Sequence, residues 1–125
     1  MATWDVEYTD HFEEWWDELS AEEQESVTFV VEMLVDRGPQ LEHPYSSSIN
    51  GSKHDHMREL RIQQKGGPYR VLYAFDPRRN AVLLLGGCKT GDSRWYIKNI
   101  PTADRLYDEH LLALKREEKA RKSNA

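Results

Sequence analysis

The chain has 125 residues, 38% of them hydrophobic and 31% charged, which suits one globular domain around one core and excludes a disordered or fibrous composition. No apolar run approaches the ~20 residues a membrane span needs, and the N-terminus, MATWDVEYTDHFEEWW, lacks the basic-then-apolar order of a signal peptide. The net charge of −5 argues against nucleic-acid binding by the surface as a whole, and the single cysteine, Cys88, excludes an internal disulfide and fits a reducing cytoplasm.

That average charge conceals a split. Residues 1–45 hold 13 acidic residues and one basic residue, Arg37, a net −12, whereas residues 46–125 hold 16 basic and nine acidic residues, a net +7. Such a molecule can turn a positive surface to a polyanion and a negative one to solvent. For residues 1–45 alone, the acidic outer faces of a helical pair account for the charge.

In chain order, Trp4, Val6 and Tyr8 alternate with Asp5 and Glu7, which is strand periodicity. A first helix follows, with Asp10 as its cap and Glu13 three residues on in a capping-box pattern. Phe12, Trp15, Trp16 and Leu19 share one face of it. Ser20 and Glu23 repeat the pattern and open a second helix, whose stripe is Val27, Val30, Val31, Leu34 and Val35 and which Gly38 and Pro39 end. The tight connection predicts an antiparallel helical pair. Residues 40–56 have a turn composition, with Asn50-Gly51 as the strongest signal.

Three strands in a meander come next. The first spans residues 57–63, with Leu60 and Ile62 on one face and Glu59 and Arg61 on the other. Lys65-Gly66-Gly67-Pro68 connects it to residues 69–75, where Tyr69, Val71, Tyr73 and Phe75 oppose Arg70, Leu72 and Ala74. Asp76-Pro77-Arg78-Arg79-Asn80 reverses the chain again. Residues 81–85 are apolar throughout, so both of their faces should be covered. Pro101 marks the first turn of a final helix with Ala103, Leu106, Tyr107, His110, Leu111 and Leu114 inward. From Lys115 the chain is charged and is expected to fray.

The predicted fold is α+β: a small, curved, antiparallel-rich sheet of an N-terminal strand plus a three-strand meander, with a two-helix N-terminal hairpin and a C-terminal helix packed on it. The domain is expected to cover residues 1–114, with residues 115–125 a frayed tail. Helices are expected on one face of the sheet, leaving the other free for function.

Several familiar sites fail on spacing. Gly86-Gly87-Cys88-Lys89-Thr90 lacks the glycines of a phosphate loop, which would stand where Cys88 and Leu83 are. His54-Asp55-His56 has no further ligand at useful spacing, so no metal and no cofactor is expected. No serine sits in a nucleophile elbow, and Cys88 reads as a small packed thiol. What remains is a cationic cluster, Arg61, Arg70, Lys89, Arg94 and Lys98, on or just after the meander. Guanidinium forks and ammonium point charges suit phosphate oxygens, and Trp95 and Tyr96 can stack on bases. Glu59, His54, His56 and Tyr96 can move protons. Together these groups suit metal-free RNA cleavage, in which the 2′-oxygen attacks phosphorus and an acid protonates the departing 5′-oxygen. They equally suit a basic surface for an acidic protein, with Arg58, Arg78 and Arg79 simply facing solvent.

The order of elements and several motifs resemble one family. The motifs are Arg58-Glu59-Leu60-Arg61, Gly67-Pro68-Tyr69-Arg70-Val71-Leu72-Tyr73-Ala74-Phe75, Asp76-Pro77-Arg78-Arg79, Lys89-Thr90-Gly91, Trp95-Tyr96 and Asn99-Ile100-Pro101. They resemble the RelE/ParE superfamily of toxins, in the HigB-like, phage Gp49-related branch of type II toxin–antitoxin systems, over about residues 4–114. The resemblance implies a metal-independent, ribosome-dependent messenger-RNA endonuclease that inhibits translation in the cytoplasm. It implies as partners a HigA-like helix-turn-helix antitoxin, the ribosome and messenger RNA, with operator DNA met only through the antitoxin and no membrane. By position, Arg70 matches the arginine that contacts the scissile phosphate, Lys89 the cation after the last strand, and Tyr96 the aromatic that stacks or assists proton transfer. Arg61 and Glu59 fall on the family's functional strand. Trp95, Arg94, Lys98, Arg58, His54 and His56 are the implied RNA contacts, the histidines lying in a loop where some members carry one. The same superfamily also contains ParE-like gyrase inhibitors, and a non-catalytic module acting with its antitoxin in transcriptional autoregulation is a third reading.

Overall fold

A computed structural model describes residues 3–92 and 94–124. The elements are β1 (Val6–Tyr8), α1 (Asp10–Asp17), α2 (Ala21–Arg37), a 3₁₀ turn (Gly38–Gln40), β2 (Ser46–Ser48), β3 (Arg58–Gln64), β4 (Gly67–Phe75), β5 (Ala81–Cys88) and α3 (Trp95–Ser123). They form a mixed α+β domain on a five-stranded sheet of order β1-β5-β4-β3-β2. Only β1 runs parallel to its neighbour, pairing Val6 with Ala81 and Tyr8 with Leu83. β3, β4 and β5 are the expected antiparallel meander.

The helix caps follow from the sequence with one change. Ser20 and Glu23 close the capping box at α2, and Gly38, at φ +56°, ends it. At α1 the cap is Thr9 rather than Asp10: its Oγ1 accepts the Phe12 N–H at 3.1 Å and donates to the Leu84 carbonyl at 2.6 Å. The long-range bond to β5 selects Thr9, and Asp10 becomes the first helical residue, where its charge still favours the helix dipole.

The sheet is covered on both faces, not on one. Phe12, Val27, Val30 and Leu34 of α1 and α2 pack on Leu60, Ile62, Val71, Tyr73 and Leu83. On the opposite face, Trp95, Ile100, Ala103 and Tyr107 of α3 pack on Leu72, Ala74, Val82, Leu84 and Leu85. The all-apolar β5 makes this necessary, because each of its faces carries side chains that must leave water. An extra residue in β5, between the pairs Leu72–Leu85 and Tyr73–Leu83, turns both Leu84 and Leu85 toward α3.

Three boundaries differ from the sequence reading. A short edge strand, β2, pairs with β3 through Ser46–Leu60, Ser47–Glu59 and Ser48–Arg58. Serines read as loop, but Ser46 is buried and shares a 2.6 Å hydrogen bond with the Tyr73 hydroxyl. Second, α3 starts at Trp95, so Pro101 lies inside the helix. Proline lacks an N–H and usually breaks a helix interior; here Trp95 and Ile100, both buried, anchor the turns before it, and Asn99 Nδ2 donates to the Trp95 carbonyl at 2.8 Å. Third, residues expected to fray are helical as far as Ser123, exposed throughout and supported by a Glu118–Lys122 pair at 3.1 Å.

Candidate active site

Five of the sequence-identified residues meet where β3, β4 and β5 face the first turn of α3. Arg61 on β3 stands directly opposite Arg70 on β4. Like charges in that register repel. Glu59, two residues before Arg61 on the same face, bridges the two and offsets one of their charges: its Oε2 accepts from Arg61 Nη1 at 3.1 Å, and Oε1 lies 3.5 Å from Arg70 Nε. Glu59 Oε1 also accepts the Tyr96 hydroxyl at 2.6 Å, and Oε2 accepts the Ser47 hydroxyl at 2.9 Å. Lys89 closes the ring, its Nζ 5.1 Å from the centre of the Tyr96 ring, in cation–π range.

The cluster is less open than the sequence suggested. The side chains of Arg70 and Glu59 are only 4% and 5% exposed, against 32% for Arg61. On its other side Arg70 pairs with Gly87, and a Cβ there would lie 2.8 Å from Trp95 Nε1. The missing side chain lets α3 begin close to the sheet and cover Arg70. Among the described residues Arg70 Nε consequently has no hydrogen-bond partner, although Nη1 donates to the Tyr69 carbonyl at 3.0 Å. Burial first, and the bond to Glu59 second, raise the Tyr96 pKa above its ordinary 10, with Arg70 opposing. Its phenol therefore remains protonated at neutral pH and acts as a donor.

The remaining candidates divide. Arg94 and Lys98 are exposed beside the cluster, and Lys98 pairs with Asp92 at 3.3 Å. Trp95 is 5% exposed and stands edge-on to Tyr96, so it is core and not a base platform. Arg58 points to the other face, donating to Ser46 Oγ at 3.1 Å. His54 and His56, in the loop between β2 and β3, sit against a later part of α3, hydrogen-bonded to Asp108 at 2.9 Å and to the Tyr107 hydroxyl at 3.2 Å. Cys88, expected to be packed, is exposed at the end of β5, its thiol 3.1 Å from Thr90 Oγ1. Ser47 belongs to the cluster and was missed, because only the pairing of β2 brings it there. Among the described residues no group of three or more His, Cys, Asp and Glu is placed to hold a metal ion.

The model of the phage-derived Gp49-like protein family matches residues 14–108. This chain belongs to the Gp49-like family. The Gp49-like chain is 44% identical over 100 residues to a candidate toxin, HigB3, of Mycobacterium tuberculosis (strain ATCC 25618 / H37Rv), covering 79% of this chain and 86% of that one. It is 39% identical over 99 residues to HigB2 of the same strain, covering 78% of this chain but only 49% of the relative's length. Among solved structures its fold is that of E. coli RelE. A double mutant of the free RelE toxin aligns at TM-score 0.55 and 13% identity over 78% of this chain and 98% of that one. The RelE–RelB toxin–antitoxin complex of E. coli aligns at 0.51 and 12% identity, over 68% and 95%. No helix among the described residues is long and apolar enough to cross a membrane.

Proposed function

We propose that this Gp49-like chain is the toxin of a type II toxin–antitoxin pair and an endonuclease that cuts messenger RNA on the ribosome without a metal. Its relatives HigB3 and HigB2 and its RelE-like fold support the toxin reading. The observation that carries the catalytic reading is the convergence of Arg61, Arg70, Lys89 and Tyr96 on one patch.

Arg61 and Lys89 are the cations a phosphodiester meets first, since both retain solvent contact. Rotation of Tyr96 away from Glu59 opens a path to Arg70, whose Nε makes no hydrogen bond among the described residues and then reaches a phosphate oxygen. Solvent takes the 2′-hydroxyl proton, the P–O2′ bond forms, the P–O5′ bond breaks, and the departing 5′-oxygen takes a proton from the Tyr96 phenol, which solvent then reprotonates. The cations offset the charge that builds on phosphorus. Glu59 organises the site: Oε2 accepts from Arg61 and Ser47, and Oε1 holds the Tyr96 hydroxyl until Tyr96 turns away. A HigA-like antitoxin restrains the chain in the cytoplasm and links it to operator DNA. Arg94 and Lys98 extend the positive rim along the message.

The test is induced expression in a bacterium. The wild-type chain should arrest growth and fragment translated messages, and Arg70→Ala and Lys89→Ala should each lower cleavage about 100-fold to 1,000-fold, the cost of one transition-state donor. Toxicity that survives both changes removes this site, and prompt DNA breaks with intact messages would instead indicate gyrase inhibition.

A further inference from the structure

A groove of about 820 Å³ lies away from the cationic cluster, between the β1 edge of the sheet and helices α1 and α2. Its walls are Trp4, Phe12, Trp16, Val31 and Val35, of which all but Phe12 are only half-buried. Tyr8 stands at its mouth, 58% exposed, with its ring 6.1 Å from Phe12; Phe12 stacks in turn on Trp16 at 6.4 Å. Along α2 the groove runs from Thr28 to Val35, about 10 Å at the helical rise, or two turns of a docked helix.

The rim decides what fits. Asp5, Glu13 and Asp17 line it, and among the described residues no lysine, arginine or histidine does. Among the described residues none of these three carboxylates makes an ion pair. They stand within the segment of net charge −12. An occupant must therefore bring apolar side chains for the floor and positive charges for the rim, where aromatic faces add cation–π attraction. Nucleic acid fails the second requirement. The chain's own projecting helical end, residues 115–123, fails the first: it is basic but carries no large apolar side chain.

We propose that this groove is the docking site for a cationic amphipathic segment of a protein partner, separate from the RNA-cleaving surface. The partner's identity as the antitoxin rests on the toxin reading; the chemistry of the groove does not. On that reading restraint can be applied at the acidic end of the molecule while the cationic patch stays uncovered.

The test uses the full chain and a short synthetic helical peptide with a leucine stripe flanked by lysines and arginines, alongside an analogue with glutamates in the basic positions. In ¹⁵N-resolved NMR the cationic peptide should shift resonances of residues 3–17 and 28–35 and leave those around Glu59 and Tyr96 in place. The acidic analogue should shift none. Asp5→Lys/Glu13→Lys/Asp17→Lys, which alters only exposed rim charges, should weaken binding about tenfold or more, and Val31→Glu on the floor should do the same. Equal binding by the rim variant, or shifts centred on the cationic patch, overturns the proposal. Concentration-dependent broadening of the groove resonances without peptide would make a second copy the occupant and also overturn it. Growth arrest on expression reads the toxin assignment separately: absence of arrest with intact peptide binding removes that assignment and leaves the groove.

Discussion

Glu59 offers the sharpest test of how the cluster is held together. Replacing it with leucine removes the carboxylate between two guanidiniums and leaves Arg70, 4% exposed, with a charge that water cannot reach. At 3.5 Å and an effective dielectric of about 20, the lost attraction is about 5 kcal/mol. Measured costs of breaking buried pairs run at about 3–5 kcal/mol. For a chain of this size that corresponds to a fall of roughly 12–20 °C in Tm. Arg70→Leu alone should cost less, about 1–2 kcal/mol, because Glu59 keeps Arg61, Ser47 and Tyr96 as partners. The double variant should recover most of the loss, since an apolar pair replaces an ionic one of similar bulk. Urea unfolding of the four proteins gives the coupling energy, expected near 3 kcal/mol. A Glu59→Leu protein that loses under about 1 kcal/mol, or singles that simply add, would show that Arg70 does not depend on Glu59.

Tyr96→Phe should keep the fold and lower RNA cleavage about 100-fold, the scale of a lost general acid, measured as message fragmentation per unit of folded protein. Gly87→Ala places a Cβ 2.8 Å from Trp95 Nε1 and should cost about 1–3 kcal/mol while exposing Arg70, read as faster hydrogen exchange in the first turns of α3. Asp76 has a fully buried side chain; burial raises its pKa, but the bonds from His110, Arg78 and the Asn80 N–H outweigh that and hold it below the ordinary 3.8. Its contribution to stability is therefore complete above that value and disappears as pH falls through the lower folded value. Urea midpoints should drop in this range for the wild type and change less for Asp76→Asn.

The meander and both helical stripes were legible because their periodicity is carried by residues with one place to go. Leu60, Ile62, Val71 and Tyr73 sit on one face of the sheet and Leu72 and Ala74 on the other, as alternation requires. Covering of the second face was also written in β5, whose apolar run has no polar side to leave in water. The convergence of Arg61 and Arg70 followed from pairing alone. Their burial did not, because it depends on where α3 begins, and Pro101 pointed to a start six residues late. Ser46 and Ser47 carried no strand signal, since short polar edge strands are defined by the neighbour that pairs with them. Nothing in the local sequence of Cys88 revealed its exposure; β5 simply outruns the core there.

The sheet tapers. Its outermost strands, β1 and β2, contribute three residues each, whereas the three between them contribute seven to nine. A newcomer seeking to extend the ladder finds little backbone to copy, and both broad surfaces are roofed by helices. A bacterium making this chain in excess should hold it dispersed instead of shedding it into inclusion bodies, read as the share of the expressed chain in the supernatant after lysis.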